Sequence, residues 1–261
     1  MGILNLTPDS FSDGGRFTQE EPLSAQIKIM LDSGADLIDV GGESTRPYAE
    51  PVSEQEELHR VLPAIACIRA RHGSIPISID TTKAEVARQA LNAGADIIND
   101  VSGLRFDPDM VRVAIDYMAP VILMHMRKTP KDMQDEPVYD DVVKEITDFL
   151  NKRISWATEQ GLDRKQIIVD PGLGFGKTAA HNLTILKHLR AFKSLGCPLL
   201  VGHSRKAFIG KILNLETRER DLATALISAY CATQGADIVR VHDVPTTMQA
   251  VRLHEAIVQA L

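Results

Sequence analysis

The chain has 261 residues, of which 44% are hydrophobic and 25% are charged, and this composition is typical of a globular protein with a large core. The formal net charge of -6 argues against non-specific binding of nucleic acid or of an anionic membrane, although local clusters of Arg and Lys can still bind an anionic substrate. Three dispersed cysteines, and no apolar run near the roughly 20 residues of a membrane helix, favour a cytoplasmic protein with reduced thiols.

Short apolar runs alternate with amphipathic stretches of helical period, such as 23–33, 54–71, 83–92 and 139–160. This alternation predicts a parallel sheet, and eight repeats in about 250 residues predict a (β/α)8 TIM barrel. No linker or low-complexity segment divides the chain, which favours one α/β domain over residues 1–261. A doubly wound open sheet is the structural alternative. The predicted strands are the runs 1–6, 36–42, 76–80, 96–101, 120–125, 166–170, 198–203 and 237–244.

One phrase occurs three times, at residues 34–39, 94–99 and 235–240: Gly-Ala-Asp, two apolar residues and a polar residue. Each copy follows a stretch of helical period, so its glycine is predicted to end a helix with positive φ. The apolar pair predicts a strand that is buried on both faces. Asp39, Asn99 and Arg240 end the three copies in the same register. We therefore expect them to converge at one rim of a closed barrel.

Polar residues end all eight runs. Active sites of TIM barrels lie at the C-terminal ends of the strands. A purely structural barrel gives no reason to place so many groups that are costly to desolvate around one mouth. The sequence therefore predicts a functional site at this rim. The residues at the ends of the runs are Asn5, Asp39, Glu43, Asp80, Asn99, Asp100, His125, Asp170, Ser204, Arg205, Lys206, Arg240 and His242.

Two loops, after the first and second runs, are rich in turn-forming residues, and each is either an ordinary connector or, as we favour, a lid over a substrate. The segment 170–178 ends in Gly-Lys-Thr like a phosphate-binding P-loop, but Pro171 stands where that motif requires Gly. Lys206 is a candidate for Schiff-base chemistry, whereas its neighbour Arg205 favours an anion site. Three histidines at three strand ends leave zinc as an alternative, although single histidines more often make structural hydrogen bonds.

Eight segments occur in order between residues 1 and 244 that together resemble the dihydropteroate synthase family, the folate-pathway enzymes inhibited by sulfonamides. The resemblance implies a TIM barrel that condenses 6-hydroxymethyl-7,8-dihydropterin diphosphate with p-aminobenzoate and releases pyrophosphate. It also implies a homodimer formed through late barrel helices. The matching segments are MGILNLTPDSFSDGG, DVGGESTRP, SIDTTK, IINDVSG, LMHM, DPGLGFGKT, SRKAFIG and RVHDV.

The resemblance also implies a role for individual residues, with Asn5 as the protein ligand of Mg²⁺. The implied pterin set is Asp80, Asn99, Met124, Asp170 and Lys206. The implied diphosphate set is Thr45, Arg46, Arg240 and His242. The implied p-aminobenzoate set is Phe11, Thr45, Pro47, Phe175 and Lys206. The implied catalytic set is Asp13, Asp80, Lys206, Arg240 and His242.

The implied mechanism is dissociative. Mg²⁺, Arg240 and His242 stabilise the departing diphosphate, while Asp80 and Asp13 offer negative charge to the cation left on the pterin methylene. The arylamine then attacks, so positioning and electrostatics supply most of the rate acceleration.

The sequence departs from the family pattern in two places. Ala207 stands where some relatives carry Ser beside the p-aminobenzoate carboxylate, and upstream residues that often form a hairpin under the barrel are missing. Three other functions stay open. A methyltetrahydrofolate-dependent methyltransferase of the same barrel family has no evident use for a diphosphate cluster. A non-catalytic pterin-binding homologue predicts the loss of a catalytic position. A Schiff-base lyase would act through Lys206.

Overall fold

The computed structural model describes residues 1–6, 20–44, 50–129, 131–133, 135 and 137–260, and strands and helices alternate along them. The strands are β1 (Gly2–Asn5), β2 (Ile38–Gly41), β3 (Ile77–Asp80), β4 (Ile97–Asp100), β5 (Val121–Met124), β6 (Ile167–Asp170), β7 (Leu200–Val201) and β8 (Ile238–Val239). The helices are α1 (Glu20–Asp32), α2 (Glu54–Arg71), α3 (Ala84–Asn92), α4 (Met110–Asp116), α5 (Val142–Glu159), α6 (Ala179–Lys187), α7 (Ala207–Leu213), α8 (Asp221–Thr233) and α9 (Val244–Gln259). None of these helices has the length and apolarity needed to cross a bilayer.

The strands form a closed parallel barrel. β1 to β6 pair in chain order, and β7 pairs with β8. Two isolated parallel bridges join these two ladders, one between Val169 and Leu199 and one between Gly2 and Val241. At the second bridge, the amide of Ile3 donates to the carbonyl oxygen of Val241 at 2.9 Å. The predicted (β/α)8 barrel is confirmed, and the closure excludes the doubly wound open sheet.

Apolar side chains fill the space between the barrel and its helices. Ile38, Ile77 and Ile79 on the strands have no exposed surface, and α2 turns Val61 and Ile65 inward against them. Burying each such side chain contributes roughly 1.5–3 kcal/mol to the free energy of unfolding. β2, β3 and β5 are buried on both faces, as their apolar sequences predicted, whereas Ile238 and Val239 of β8 are only partly buried.

The glycine of each repeated phrase ends a helix as predicted, with φ of 97° at Gly34, 110° at Gly94 and 87° at Gly235. The aspartate after it has a structural task. Asp96 Oδ2 accepts from the amide of Ile77 at 2.8 Å, and Asp237 accepts in the same way from a backbone amide just before β7. In these two copies the aspartate therefore fixes the barrel floor, and the last residue of the phrase reaches the opposite rim.

Candidate active site

Inward-pointing polar side chains from the even-numbered strands share one layer of the barrel. Asn99 pairs with Asp80 on β3, which pairs with Gly41 on β2, two residues beyond Asp39. In a (β/α)8 barrel, residues at the same height along the barrel axis are shifted by one position from each strand to the next. Over the two steps from β2 to β4 the shift is two positions, so Asp39 and Asn99 lie at the same height. The same offset applied to β6 and β8 completes the layer, whose members are Asp39, Asn99, Asp170 and Arg240.

Asp39 contacts two other members of this layer. Its carboxylate accepts from Arg240 Nε at 2.6 Å, and Asn99 Nδ2 lies 3.3 Å from both of its oxygens. Ser78 on β3 donates its hydroxyl to the same carboxylate. Asp39 has no exposed surface, so these contacts lie in a low-dielectric interior where hydrogen bonds to charged groups are strong. The three residues that end the repeated phrase therefore meet, as the sequence predicted.

Arg240 also contacts a second carboxylate, Asp80, with Nη2 2.6 Å from Oδ2. Burial acts to lower the pKa of Arg240, but Asp39 and Asp80 outweigh it and raise that pKa above its ordinary value. Burial raises the pKa of Asp80 to about 7, against the opposing charge of Arg240. Asp80 Oδ1 is buried and has no hydrogen-bond partner among the described residues. A buried acceptor of this kind suits an N–H group of a ligand.

Asp170 stands on the opposite side of the layer. Its Oδ1 accepts from the amide of Gly172 at 2.7 Å. A Cβ at Gly202 would lie 3.5 Å from Oδ2, so the missing side chain leaves space beside this oxygen. Burial raises the pKa of Asp170 to about 6, while the Gly172 amide and Lys206 oppose the shift. Met124 on β5 pairs with Asp170 in the ladder and adds an apolar wall.

Lys206 and Phe175 form the next part of the mouth. Lys206 Nζ lies 4.1 Å from the centre of the Phe175 ring, which is a cation–π contact. Phe175 belongs to the same buried apolar cluster as Met124, together with Val101. An aromatic face, a thioether and an ammonium group thus lie close together, and this combination suits a flat aromatic ligand with an anionic substituent.

His242 lies beside Arg240 at the end of β8. Its Nδ1 is 2.9 Å from Ser204 Oγ, and its Nε2 is 3.5 Å from the Asn5 amide nitrogen. Burial and the neighbouring cations lower the pKa of His242 to about 3, so the imidazole is neutral at physiological pH. A neutral imidazole hydrogen-bonds an anionic oxygen through its one N–H group.

Several strand-end residues point elsewhere. Arg205, grouped with the anion ligands from sequence, instead makes a two-bond ion pair with Asp221 at 2.6 and 2.7 Å. His125 Nδ1 lies 3.0 Å from Lys177 Nζ, and His203 contacts helix α8. Within the described ranges, no group of three or more His, Cys, Asp or Glu side chains could hold a metal ion. The histidines therefore do not converge as a zinc site requires.

The structure brings together most of the candidate residues that it describes. Asp80, Asn99, Met124, Asp170, Phe175, Lys206, Arg240, His242 and Asn5 line one barrel mouth. Phe11, Asp13, Thr45, Arg46 and Pro47 lie outside the described residues. Sequence reasoning gave Asp39 and Ser204 no role of their own, although the repeated phrase and the strand-end position were signals for each.

Comparison with known proteins agrees with this geometry. The model of the family described as pterin binding enzyme matches residues 1–242. A dihydropteroate synthase of Synechocystis sp. is 50% identical over 98% of this chain and 89% of its own. The Yersinia pestis dihydropteroate synthase solved as a sulfonamide drug complex has a TM-score of 0.93 at 43% identity, covering 99% of this chain and 94% of its own. The Xanthomonas albilineans enzyme solved with 4-aminobenzoic acid has a TM-score of 0.93 at 44% identity, covering 100% and 93%. The chain belongs to the pterin binding enzyme family and, within it, to the dihydropteroate synthases.

Proposed function

We propose that this barrel mouth binds 6-hydroxymethyl-7,8-dihydropterin diphosphate and p-aminobenzoate and joins them as dihydropteroate, with release of pyrophosphate. The observation that carries the proposal is the continuous network from Asn99 through Asp39 to Arg240 and Asp80. In this proposal the carboxylates of the network would accept from the heterocycle, and the neighbouring guanidinium would bind the phosphorylated tail. A methyltransferase or a non-catalytic pterin-binding protein does not need a guanidinium that binds a phosphorylated tail.

The pterin subsite lies over the polar layer. The aminopyrimidinone edge of a pterin carries N–H groups that suit Asp170 Oδ2 and the unpartnered Asp80 Oδ1. The amide of Asn99 and the ammonium of Lys206 complement its acceptors, and Met124 packs on the ring. A purine would leave some of these buried polar groups unpaired, which is the basis for its rejection.

The diphosphate subsite combines two donors of different charge. Arg240 supplies a permanent positive charge, and neutral His242 would donate a hydrogen bond through its one N–H group. Both stabilise the negative charge that grows as the C–O bond to the diphosphate breaks. Asp80 would face the cation that remains on the pterin methylene, and Arg240 beside it favours the carboxylate form that stabilises this cation. Thr45, Arg46 and Asp13 stay predicted members of this chemistry.

The p-aminobenzoate subsite adjoins the diphosphate subsite. The ring of Phe175 and the ammonium of Lys206 lie together, so an aromatic amine could pack on one and direct its carboxylate to the other. Phe11, Thr45 and Pro47 stay predicted members of this pocket. A sulfonamide carries the same aminophenyl group and would compete for it.

A magnesium ion is the proposed cofactor, with Asn5 as its protein ligand. The donor set fits such an ion, because an amide oxygen and carboxylates are hard oxygen ligands. A Cβ at Gly41 would lie 3.8 Å from Asn5 Oδ1 and 3.7 Å from Asp80 Oδ2, so both oxygens lie beside the same glycine. Bound Mg²⁺ would neutralise part of the diphosphate charge. Asn5 would hold it at the edge of the site, beside His242.

We also propose that the protein is a cytoplasmic homodimer built from this single barrel domain. Helices α7 and α8 expose a group of apolar side chains, with Leu213 at 51% and Leu226 at 62% exposure. A large exposed apolar patch of this kind marks an interaction surface. A second copy of the chain is the proposed occupant. The free thiols of Cys67, Cys197 and Cys231 suit a reducing compartment.

One experiment separates the possible activities. The purified protein is incubated with the pterin diphosphate, p-aminobenzoate and Mg²⁺, and pyrophosphate release is measured. A synthase releases pyrophosphate only when p-aminobenzoate is present, and calorimetry then shows p-aminobenzoate binding that requires both diphosphate and Mg²⁺. Methyl transfer from methyltetrahydrofolate without pyrophosphate release would support the methyltransferase instead, and binding without turnover would support the non-catalytic homologue.

A further inference from the structure

Lys177, in the loop between β6 and α6, carries a buried ammonium group that the proposed reaction does not use. The residue is only 4% exposed. Its Nζ lies 2.8 Å from the carbonyl oxygen of Gly172, 2.9 Å from that of Phe175 and 3.3 Å from that of His125. It also lies 3.0 Å from Nδ1 of His125. All donors of this cation are thus satisfied inside the protein.

The backbone groups that point into this loop have the opposite polarity to those of a P-loop. A P-loop directs backbone N–H groups at a phosphate, whereas this loop directs backbone C=O groups at its own lysine. Gly172 makes the turn possible, with φ of 68°, and a Cβ at this position would collide with the carbonyl oxygen of His125.

The two halves of the loop have different anchors. Gly172 is fixed twice, since its amide donates to Asp170 and its carbonyl accepts from Lys177. Phe175 has no bond to Asp170. Its amide donates to the carbonyl oxygen of Gly172 at 3.2 Å, and its carbonyl accepts from the Lys177 ammonium at 2.9 Å. The Phe175 ring in turn contacts the ammonium of Lys206. Lys177 therefore contacts both halves of the loop, and its bond to the Phe175 carbonyl lies in the half that faces Lys206.

We infer that Lys177 is a positioning residue for the aromatic-amine subsite, acting by fixing the backbone of Phe175 against the end of β5. The inference rests on the proposed assignment of Phe175 and Lys206 to p-aminobenzoate. Without the Lys177 ammonium, Phe175 loses the bond to its carbonyl and keeps only the longer bond from its amide to Gly172, whereas Gly172 keeps its bond to Asp170. The Phe175 ring is then held less firmly beside Lys206. Binding of the arylamine should weaken, and binding of the pterin should not.

The test compares Lys177→Met with the matched control Lys152→Met on the exposed side of α5. Lys177→Met should raise KM for p-aminobenzoate at least about tenfold and change KM for the pterin diphosphate by less than about twofold. Lys152→Met should change neither constant. If Lys177→Met does not fold, Lys177→Gln, which keeps a shorter donor, should show the same split.

A rescue experiment excludes a merely structural role. In Lys177→Ala, added methylammonium should lower KM for p-aminobenzoate, because it can fill the vacated site and donate hydrogen bonds. Tetramethylammonium at equal ionic strength cannot donate and should have no effect. Equal rises of both KM values, or equal rescue by the two cations, would overturn the inference.

Phe175→Ala distinguishes this inference from the proposed function. If Phe175→Ala leaves KM for p-aminobenzoate unchanged, the subsite assignment itself is wrong. If Phe175→Ala raises that KM and Lys177→Met does not, the assignment holds and only the role of Lys177 is wrong.

Discussion

Arg240 donates through Nε to Asp39 Oδ2 at 2.6 Å, although 201 positions separate the two residues in the chain. Each residue ends one copy of the same repeated phrase, and Asn99, at the end of the third copy, lies 3.3 Å from the same carboxylate. In each copy, five positions separate the glycine that ends the helix from the polar residue that closes the phrase. Because this spacing is identical, the last residues of the three copies lie at the same height of the barrel. The repeated phrase therefore supplies three of the four members of the polar layer.

Asp39→Asn should destabilise the protein. The change keeps the shape of the side chain but removes the charge that balances Arg240 in the interior. Breaking a buried ion pair on one side costs about 3–5 kcal/mol, so the free energy of unfolding in urea should fall by about that amount. Asp148→Asn is the control, because Asp148 pairs with Lys144 on the exposed face of α5 and such pairs contribute less than about 1 kcal/mol. If the free energy of unfolding falls equally in the two variants, Asp39 does not stabilise the polar layer.

Arg240→Ala should impair turnover more than heterocycle binding. Removing a charge that stabilises the leaving group costs about 100- to 1000-fold in kcat, by analogy with the loss of one oxyanion donor. Calorimetric binding of a pterin without its diphosphate should change much less, because that ligand does not contact the guanidinium through phosphate. Arg240→Lys keeps a positive charge beside Asp39 and Asp80 and controls for folding. Wild-type turnover in Arg240→Ala would refute the assignment.

The sequence predicted most of the backbone. The stretch 54–71 coincides with α2, and each predicted strand run contains one observed strand. Periodicity is informative here because both faces of each strand and one face of each helix are buried. The predicted stretch 139–160 begins too early, since α5 starts at Val142. Tyr139 instead donates its hydroxyl to the carbonyl oxygen of Gly176.

The direction of individual side chains was less predictable. Arg205 follows a strand, which placed it with the anion ligands. Its φ of 56° turns the residue into the left-handed region, and its guanidinium pairs with Asp221 on α8. Likewise, nothing in the order of residues 170–178 shows that Lys177 fills its own loop. Such contacts depend on the local path of the backbone and on partners far away in the chain.

Leu226→Glu should weaken self-association. The exposed Leu226 on α8 lies in the apolar face that we assign to a second copy of the chain. A carboxylate there would be buried against apolar surface without a partner, which is strongly unfavourable. Sedimentation velocity should show a dimer for the unchanged protein and a monomer for the variant. Leu253→Glu on α9, where Leu253 is 64% exposed, is the matched control and should stay dimeric. Dissociation in both variants, or in neither, would contradict the assignment.

His203 should make stability depend on pH in a defined window. Its Nε2 lies 3.0 Å from the carbonyl oxygen of Thr224 and 2.9 Å from Ser228 Oγ, and the side chain is fully buried. Burial lowers its pKa from 6.5 to about 4, so the unfolded chain binds a proton below pH 6.5 that the native state does not bind until about pH 4. The contribution of His203 is thus complete above pH 6.5 and is lost as the pH falls from there towards 4, with a slope near 1.4 kcal/mol per pH unit (about 2.303RT for one proton).

His203→Asn isolates this contribution, because every other titrating group is shared with the unchanged protein. Urea unfolding near pH 7, 6 and 5 should show that the difference in stability between the two proteins shrinks as the solution becomes more acidic. His59→Asn, at an exposed position on α2, controls for the loss of one histidine. A difference that stays constant between pH 7 and 5 would mean that His203 takes up a proton as readily inside the barrel as in the unfolded chain.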